Sequence, residues 1–188
     1  PDEFLDLYMP HSEANNDKPV PLLIFCHGGA WRSLSKNDAG YLAIGYVPEG
    51  IAVSALNFSL APGVKLEQIV AQVRKAVSYL YHESKQLMLD PEQFYVIGHS
   101  SGAHLAANIA VTDWTEFGAP RELIKGLTAV SGPYDLVPVR LSARNDYLFL
   151  DEIDARELSP QTHLSSGLPP AIIAWGGREL DEFQRQGA

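Results

Sequence analysis

Apolar and polar residues alternate along the chain with two different periods, which predicts strands and helices in turn. The segment from Val20 to Cys26 is almost continuously apolar, as expected of a strand that is covered on both faces. Residues 65–84 instead carry apolar side chains at helical spacing: Leu66, Ile69, Val70, Val73, Val77 and Leu80. We therefore predict an amphipathic helix there.

Shorter segments continue this alternation of strands and helices. Further strands are predicted at 4–9, 51–56, 94–97, 127–131 and 171–175, and further helices at about 36–47 and 100–111. Polar turns are expected at 11–18 and 90–92. This order favours a mostly parallel sheet with helices on both faces, so the predicted fold is a three-layer α/β/α sandwich.

One segment, 133–168, breaks the rhythm of strands and helices. It mixes proline, charged and aromatic residues, among them Tyr134, Asp135, Arg140, Asn145, Asp146, Tyr147 and Phe149. Two interpretations remain open: an excursion that forms part of a substrate pocket, or a helical connector. The length of 188 residues suits a single domain over 1–188.

Both ends of the sequence are expected to lie inside structure. The chain opens at Pro1 and enters a predicted strand almost at once, and it closes at 184–188 in what resembles the start of a helix without a stop signal. We therefore expect residues to be missing on both sides of the domain.

Charge and cysteine content narrow the classes of partner. The formal net charge is −9, from 14 basic and 23 acidic residues, which argues against nucleic acid or an anionic membrane surface. The one cysteine, Cys26, excludes an intrachain disulfide, and no apolar run approaches the ~20 residues needed to span a bilayer. No signal peptide is recognised, so we expect a cytoplasmic protein. The expected partner is a small-molecule substrate, and a homodimer is possible.

The clearest chemical motif is Gly98–Gly102, which matches G-x-S-x-G around Ser100. It directly follows the predicted strand 94–97 and precedes a small-residue helix that starts with Ala103. This strand–turn–helix setting is typical of a nucleophile elbow, in which side chains at the flanking positions would collide with neighbouring elements. Ser100 is therefore the predicted nucleophile.

A second glycine-rich segment, His27-Gly28-Gly29-Ala30-Trp31, follows the buried strand. Acyl transfer places negative charge on a carbonyl oxygen, which backbone N–H groups must stabilise. The candidate oxyanion-hole residues are Gly28, Gly29, Ala30 and Ser101, with the N–H groups of Gly29 and Ala30 favoured in the loop. Candidate pocket residues are Trp31, His99 and Tyr134, and Trp31 could equally be a packing residue.

Together these motifs resemble the kynurenine (aryl) formamidase branch of the α/β-hydrolase superfamily, close to the hormone-sensitive-lipase-like esterases. The resemblance rests on HGGAW at 27–31, GHSSGAH at 98–104, SGPYDL at 131–136, Ser159-Pro160 and EFQRQ at 182–186. It implies an α/β-hydrolase fold and hydrolysis of an N-formyl aryl amide or a small carboxylic ester through an acyl-serine. It implies neither a metal nor an organic cofactor.

The resemblance also suggests the catalytic acid. In this fold the triad runs serine, acid, histidine along the chain, and the acid follows a late strand. Counting back from Glu182-Phe183 places Glu179 at that position, although aspartate is commoner there; Asp181 is the alternative. A solvated charged helix start would also explain these carboxylates.

The histidine that should act as base is not found after Glu179. The six histidines are His11, His27, His82, His99, His104 and His163, all earlier in the chain. A serine without a base retains little activity, because triad members act as a unit. Three hypotheses therefore stand: a formamidase-like hydrolase, a short-chain carboxylesterase, and a non-catalytic hydrolase-fold binding protein.

Overall fold

The structure is a computed structural model that describes residues 2–11 and 18–188. Its six strands are β1 Leu5–Tyr8, β2 Val20–Cys26, β3 Ala52–Leu56, β4 Leu89–His99, β5 Ile124–Val130 and β6 Ala171–Ala174. Its α-helices are α1 Tyr41–Tyr46, α2 Leu66–His82, α3 Ser101–Ala110, α4 Val137–Arg140, α5 Asn145–Leu148, α6 Glu152–Glu157 and α7 Asp181–Gly187. Short 3₁₀ turns lie at Lys36–Asp38, Val47–Glu49, Trp114–Phe117 and Pro160–His163.

The strands form one sheet in the order β1-β3-β2-β4-β5-β6, and every neighbouring pair except β1 and β3 is parallel. The main core packs α2 and α3 against one face of the sheet, which receives Leu22, Ile24 and Cys26 from β2. A smaller cluster around Phe25 and Ala55 lies on the opposite face. The predicted mostly parallel sheet with helices on both faces is thus confirmed.

Two local predictions differ from the structure. The turn expected at 90–92 lies inside β4 as a bulge, because Asp90 binds the N–H of Glu92 (3.0 Å) and the side chain of Gln93 (2.6 Å) while the strand continues. The helix expected at 36–47 is broken into a 3₁₀ turn, α1 and a second 3₁₀ turn. The predicted turn at 11–18 lies mostly outside the described residues.

The segment 133–168 contains α4, α5, α6 and a 3₁₀ turn, so it is helical. It also reaches the carboxyl edge of the sheet, where it contributes side chains to the cleft described below. Among the helices that the structure describes, none is long and apolar enough to cross a bilayer.

Candidate active site

The turn between β4 and α3 holds Ser100 in a strained conformation. Its backbone angles are φ 56° and ψ −125°, and a positive φ at a non-glycine residue is uncommon. A Cβ at Gly98 would collide with the carbonyl of Gly102, and one at Gly102 would collide with the carbonyl of Cys26. The close approach of these backbones explains why both flanking positions are glycine.

Ser100 lies at the junction of three strands. Its N–H donates to the carbonyl of Val130 at the end of β5 (2.8 Å), and the N–H of Ser131 in turn donates to Ala174 at the end of β6 (2.8 Å). The turns that follow β4, β5 and β6 therefore lie side by side at one edge of the sheet. Ser100 lines a cleft there, together with Ala30, Trp31, Ser101, Pro133, Val139, Arg144 and Phe183.

Residues 27–33, here called the oxyanion loop, follow β2 and border this cleft. Gly29, Ala30 and Trp31 all have positive φ values, of 103°, 52° and 59°. The N–H of Trp31 donates to the Ser101 hydroxyl (3.3 Å), so it is already engaged. The N–H groups of Gly29 and Ala30 donate no hydrogen bond within residues 2–11 and 18–188.

These groups can serve as an oxyanion hole. Ala30, one of the two loop residues with a free N–H, lines the cleft that contains Ser100, and Gly29 directly precedes it. The N–H of Ser101 has no intrahelical partner because Ser101 is the first residue of α3. A developing oxyanion is stabilised by such backbone donors. Gly28 packs its Cα against the elbow: a Cβ there would lie 3.0 Å from the carbonyl oxygen of His99.

Two histidines near the loop are structural in this geometry. His27 donates from Nδ1 to the carbonyl of Gly28 (2.8 Å) and stacks on Phe58 with 4.3 Å between ring centroids. His104 donates from Nε2 to the carbonyl of Leu158 (2.8 Å), which leaves Nδ1 to accept the indole N–H of Trp31 (3.3 Å). Burial lowers the pKa of both imidazoles, that of His104 to about 4, so both are neutral at pH 7.

Glu179 follows β6 and faces the turn after β5. Its Oε1 accepts a hydrogen bond from the Ser131 hydroxyl (2.6 Å), and the side chain of Gln184 donates to its main-chain carbonyl (2.7 Å). Oε2 is buried and has no hydrogen-bond partner in the part of the chain that the structure describes. Asp181 is exposed at the start of α7, so the geometry favours Glu179 as the acid.

The other histidines do not approach Glu179. His82 binds the carbonyl of Phe117 (2.9 Å), and His163 binds that of Glu157 (2.7 Å). His99 is exposed beside Gly28, and His11 is exposed at the end of the first described stretch. None of the histidines that the structure describes therefore completes a triad with Ser100 and Glu179.

The structure brings only one of the three candidate pocket residues into the cleft. Trp31 lines it although its side chain is almost fully buried, whereas His99 and Tyr134 are not among the lining residues. Tyr134 lies beside a separate apolar cavity under α3, where burial raises the pKa of its hydroxyl to about 12. Tyr134 is therefore not supported as a pocket residue by this geometry.

Sequence reasoning missed several residues of the site. Ser131 had a signal, since it opens the SGPYDL stretch, but its partner Glu179 lies 48 residues away. Arg144 and Phe183 line the cleft from the α4–α5 connection and from α7. Phe183 lies in the EFQRQ stretch, whereas the sequence around Arg144 offered no signal. Within the described residues, no group of three or more His, Cys, Asp or Glu side chains is arranged to hold a metal ion.

Comparison with known proteins agrees with this geometry. The BD-FAE family model matches residues 5–181. Kynurenine formamidase of Salmo salar is 35% identical over 98% of this chain and 62% of its own length. Isoprenylcysteine alpha-carbonyl methylesterase of Arabidopsis thaliana is 27% identical over 93% of this chain and 45% of its own length.

Solved structures share the fold. Esterase B of Lactobacillus rhamnosis superposes with a TM-score of 0.79 at 23% identity, covering 97% of this chain and 64% of the esterase. At this identity the likeness concerns the fold, which is that of an α/β-hydrolase. The chain spans 62% of the length of the Salmo salar formamidase that it matches.

Proposed function

The chain belongs to the BD-FAE family, and from this premise we propose that it carries the nucleophile and oxyanion hole of a serine hydrolase. The observation that carries the proposal is Ser100 itself, which is held at φ 56° between β4 and α3 in a cleft bordered by free backbone N–H groups. A strained serine at this position is what a nucleophile elbow requires.

The proposed reaction has two steps. The Ser100 oxygen attacks a carbonyl carbon while its proton passes to a base, and the N–H groups of Gly29, Ala30 and Ser101 stabilise the oxyanion. Collapse of the tetrahedral intermediate breaks the bond to the amine or alcohol, which takes up the proton and leaves. Water then attacks the acyl-serine by the same route and releases the acid.

The base in this proposal is a histidine that Glu179 orients through Oε2. This oxygen is buried and unpaired within the described residues, whereas Oε1 is fixed by Ser131. A buried carboxylate oxygen without a partner is costly, so a histidine N–H is a fitting donor for it. His27 is held by the bond from its Nδ1 to Gly28 and His104 by its bond to Leu158, so neither of these residues is this histidine in the proposal.

The shape of the cleft supports a small acyl group. The compartment at Ser100 has a cavity volume of about 20 Å³, and it adjoins a second one of about 200 Å³ that shares Pro133, Val139, Arg144 and Phe183 with it. The small compartment suits a formyl or acetyl group, and the larger, mostly apolar one suits an aromatic leaving group. An N-formyl aryl amide is therefore the proposed substrate class, in line with the kynurenine formamidase relative.

A short-chain carboxylesterase is the second candidate, favoured by the similarity to a methylesterase. The two are separated by comparing kcat/KM for an N-formyl aryl amide with that for p-nitrophenyl acetate in the full-length protein. A formamidase hydrolyses the amide at least as efficiently as the activated ester; an esterase hydrolyses only the ester. Ser100→Ala should abolish both activities, and activity that survives this change, or no activity in the wild type, would contradict the proposal.

The remaining expectations concern the whole protein. A cytoplasmic location and a homodimer are retained as proposals. Cell fractionation and light scattering of the purified protein would test them.

A further inference from the structure

The oxyanion loop is held by a tyrosine from the segment 133–168. The hydroxyl of Tyr147, on α5, donates a hydrogen bond to the carbonyl of Ala30 (3.2 Å) across 117 residues of sequence. The ring of the same tyrosine lies under the guanidinium of Arg32, 4.6 Å from its centroid. The side chain of Tyr147 therefore contacts the oxyanion loop at both Ala30 and Arg32.

The contact acts on a single peptide unit. The carbonyl of Ala30 and the N–H of Trp31 belong to the same planar group. The carbonyl accepts from Tyr147, and the N–H donates to the Ser101 hydroxyl (3.3 Å), so both polar ends of this peptide are fixed by side chains from other elements.

The backbone on both sides of this peptide is strained. Ala30 and Trp31 both lie in the left-handed region, which costs roughly 1–2 kcal/mol for each non-glycine residue. A displacement of this peptide would relax the strained backbone and shift the Cα of Ala30, and the N–H attached through it, relative to the cleft. The two hydrogen bonds oppose that displacement.

We propose that Tyr147 is a positioning residue, which aims the N–H groups of Gly29 and Ala30 at the oxyanion by holding the Ala30–Trp31 peptide. The inference rests on the proposed serine-hydrolase function and deepens it. It gives part of the segment 133–168 a role in transition-state stabilisation, in addition to lining the cleft.

The test compares Tyr147→Phe with Tyr147→Leu in the full-length protein. The phenylalanine variant keeps the ring beneath Arg32 and loses only the hydroxyl, whereas the leucine variant loses both. For Tyr147→Phe we expect kcat to fall about tenfold with KM unchanged, less than the 10²–10³-fold loss from deleting an oxyanion donor outright. Inactivation by a fluorophosphonate should slow by a similar factor, because it also places charge in the oxyanion hole.

One further measurement and one control variant make the test independent of activity and of folding. Amide hydrogen exchange at Trp31 should be faster in Tyr147→Phe, since its peptide loses one of two anchors. Tyr79→Phe, on the exposed face of α2, is the matched control and should change none of these quantities.

The outcomes distinguish a failure of the positioning role of Tyr147 from a failure of the proposed function. Unchanged exchange at Trp31, or an unchanged kcat in Tyr147→Phe, would overturn the positioning role. Faster exchange in a protein whose wild-type Ser100 never reacts would instead overturn the proposed function, while the structural hold on the loop would stand.

Discussion

Lowering the pH from 7.5 to 4 should remove about 3 kcal/mol of folding free energy through one buried histidine, His104. Its ring is completely buried, and burial lowers its pKa from the ordinary 6.5 to about 4. Between pH 6.5 and pH 4 the imidazole of His104 therefore carries a proton in the unfolded chain but not in the folded chain. The contribution of His104 to stability is thus complete above pH 6.5 and declines as the pH falls towards 4. At about 1.4 kcal/mol per pKa unit, the difference of 2.5 gives roughly 3 kcal/mol.

The hydrogen bonds of His104 explain why the fold keeps it neutral. Nδ1 must be unprotonated to accept the indole N–H of Trp31, while Nε2 donates to Leu158. Protonation would place two N–H groups against each other in a buried site. The same network joins the oxyanion loop, α3 and the end of α6.

The assay is urea unfolding of the wild type and of His104→Asn, followed by fluorescence between pH 7.5 and pH 4. The variant offers Trp31 an amide oxygen and cannot titrate, so it should lose about 3 kcal/mol less than the wild type over this range. Contributions from carboxylates and from His27, whose pKa is also lowered, are present in both proteins and cancel in the difference. Equal losses in the two proteins would refute the reasoning.

Three other predictions concern the elbow, the acid and the core. Gly102→Ala should destabilise the fold by about 1–3 kcal/mol in denaturant unfolding, because the added Cβ would meet the carbonyl of Cys26. Gly45→Ala is the control: its Cβ would have no neighbour within 4 Å, and it should stabilise α1 by about 0.5–1 kcal/mol. Glu179→Gln should lower kcat about 10³–10⁴-fold in the full-length protein while Asp181→Asn stays within twofold; the reverse order would move the acid to Asp181. The thiol of Cys26, whose pKa is strongly raised by complete burial, should react with iodoacetamide only after unfolding, as mass spectrometry of native and denatured protein would show.

The sequence was most informative where the structural constraint is local. The glycines around Ser100 are required by backbone contacts within one strand–turn–helix unit, so a five-residue motif and its flanks carry the whole signal. The same holds for β2, whose continuous apolar run reflects burial on both faces of the sheet. Periodicity and turn chemistry are sufficient for such features.

Features that depend on contacts between distant segments were not predictable. The hydrogen bond from Tyr147 to Ala30 joins residues 117 apart, and nothing in the neighbourhood of Tyr147 distinguishes it from a surface aromatic. The bulge at 90–92 was mistaken for a turn, because Asp90 caps its own backbone inside a strand that continues by pairing with β2. Tyr134 was a candidate pocket residue because it lies in the segment 133–168, whereas its ring packs beside Gly132 and is not among the residues that line the cleft.

The segment 133–168 shows why the two interpretations of its sequence could not be separated. Its short helices make it a connector, and Val139 and Arg144 also line the cleft at Ser100. Composition reports the mixture of proline, charge and aromatic residues, but only the fold shows which of these side chains reach the site.

The central claim is that Ser100 is an acyl-accepting nucleophile. The most direct measurement is mass spectrometry of the full-length protein after reaction with a fluorophosphonate, with Ser165→Ala, at an exposed serine that does not line the cleft, as the control. We predict one adduct, on Ser100, in both proteins, and none in Ser100→Ala. An unlabelled wild type, or an adduct that persists in Ser100→Ala, would contradict the claim.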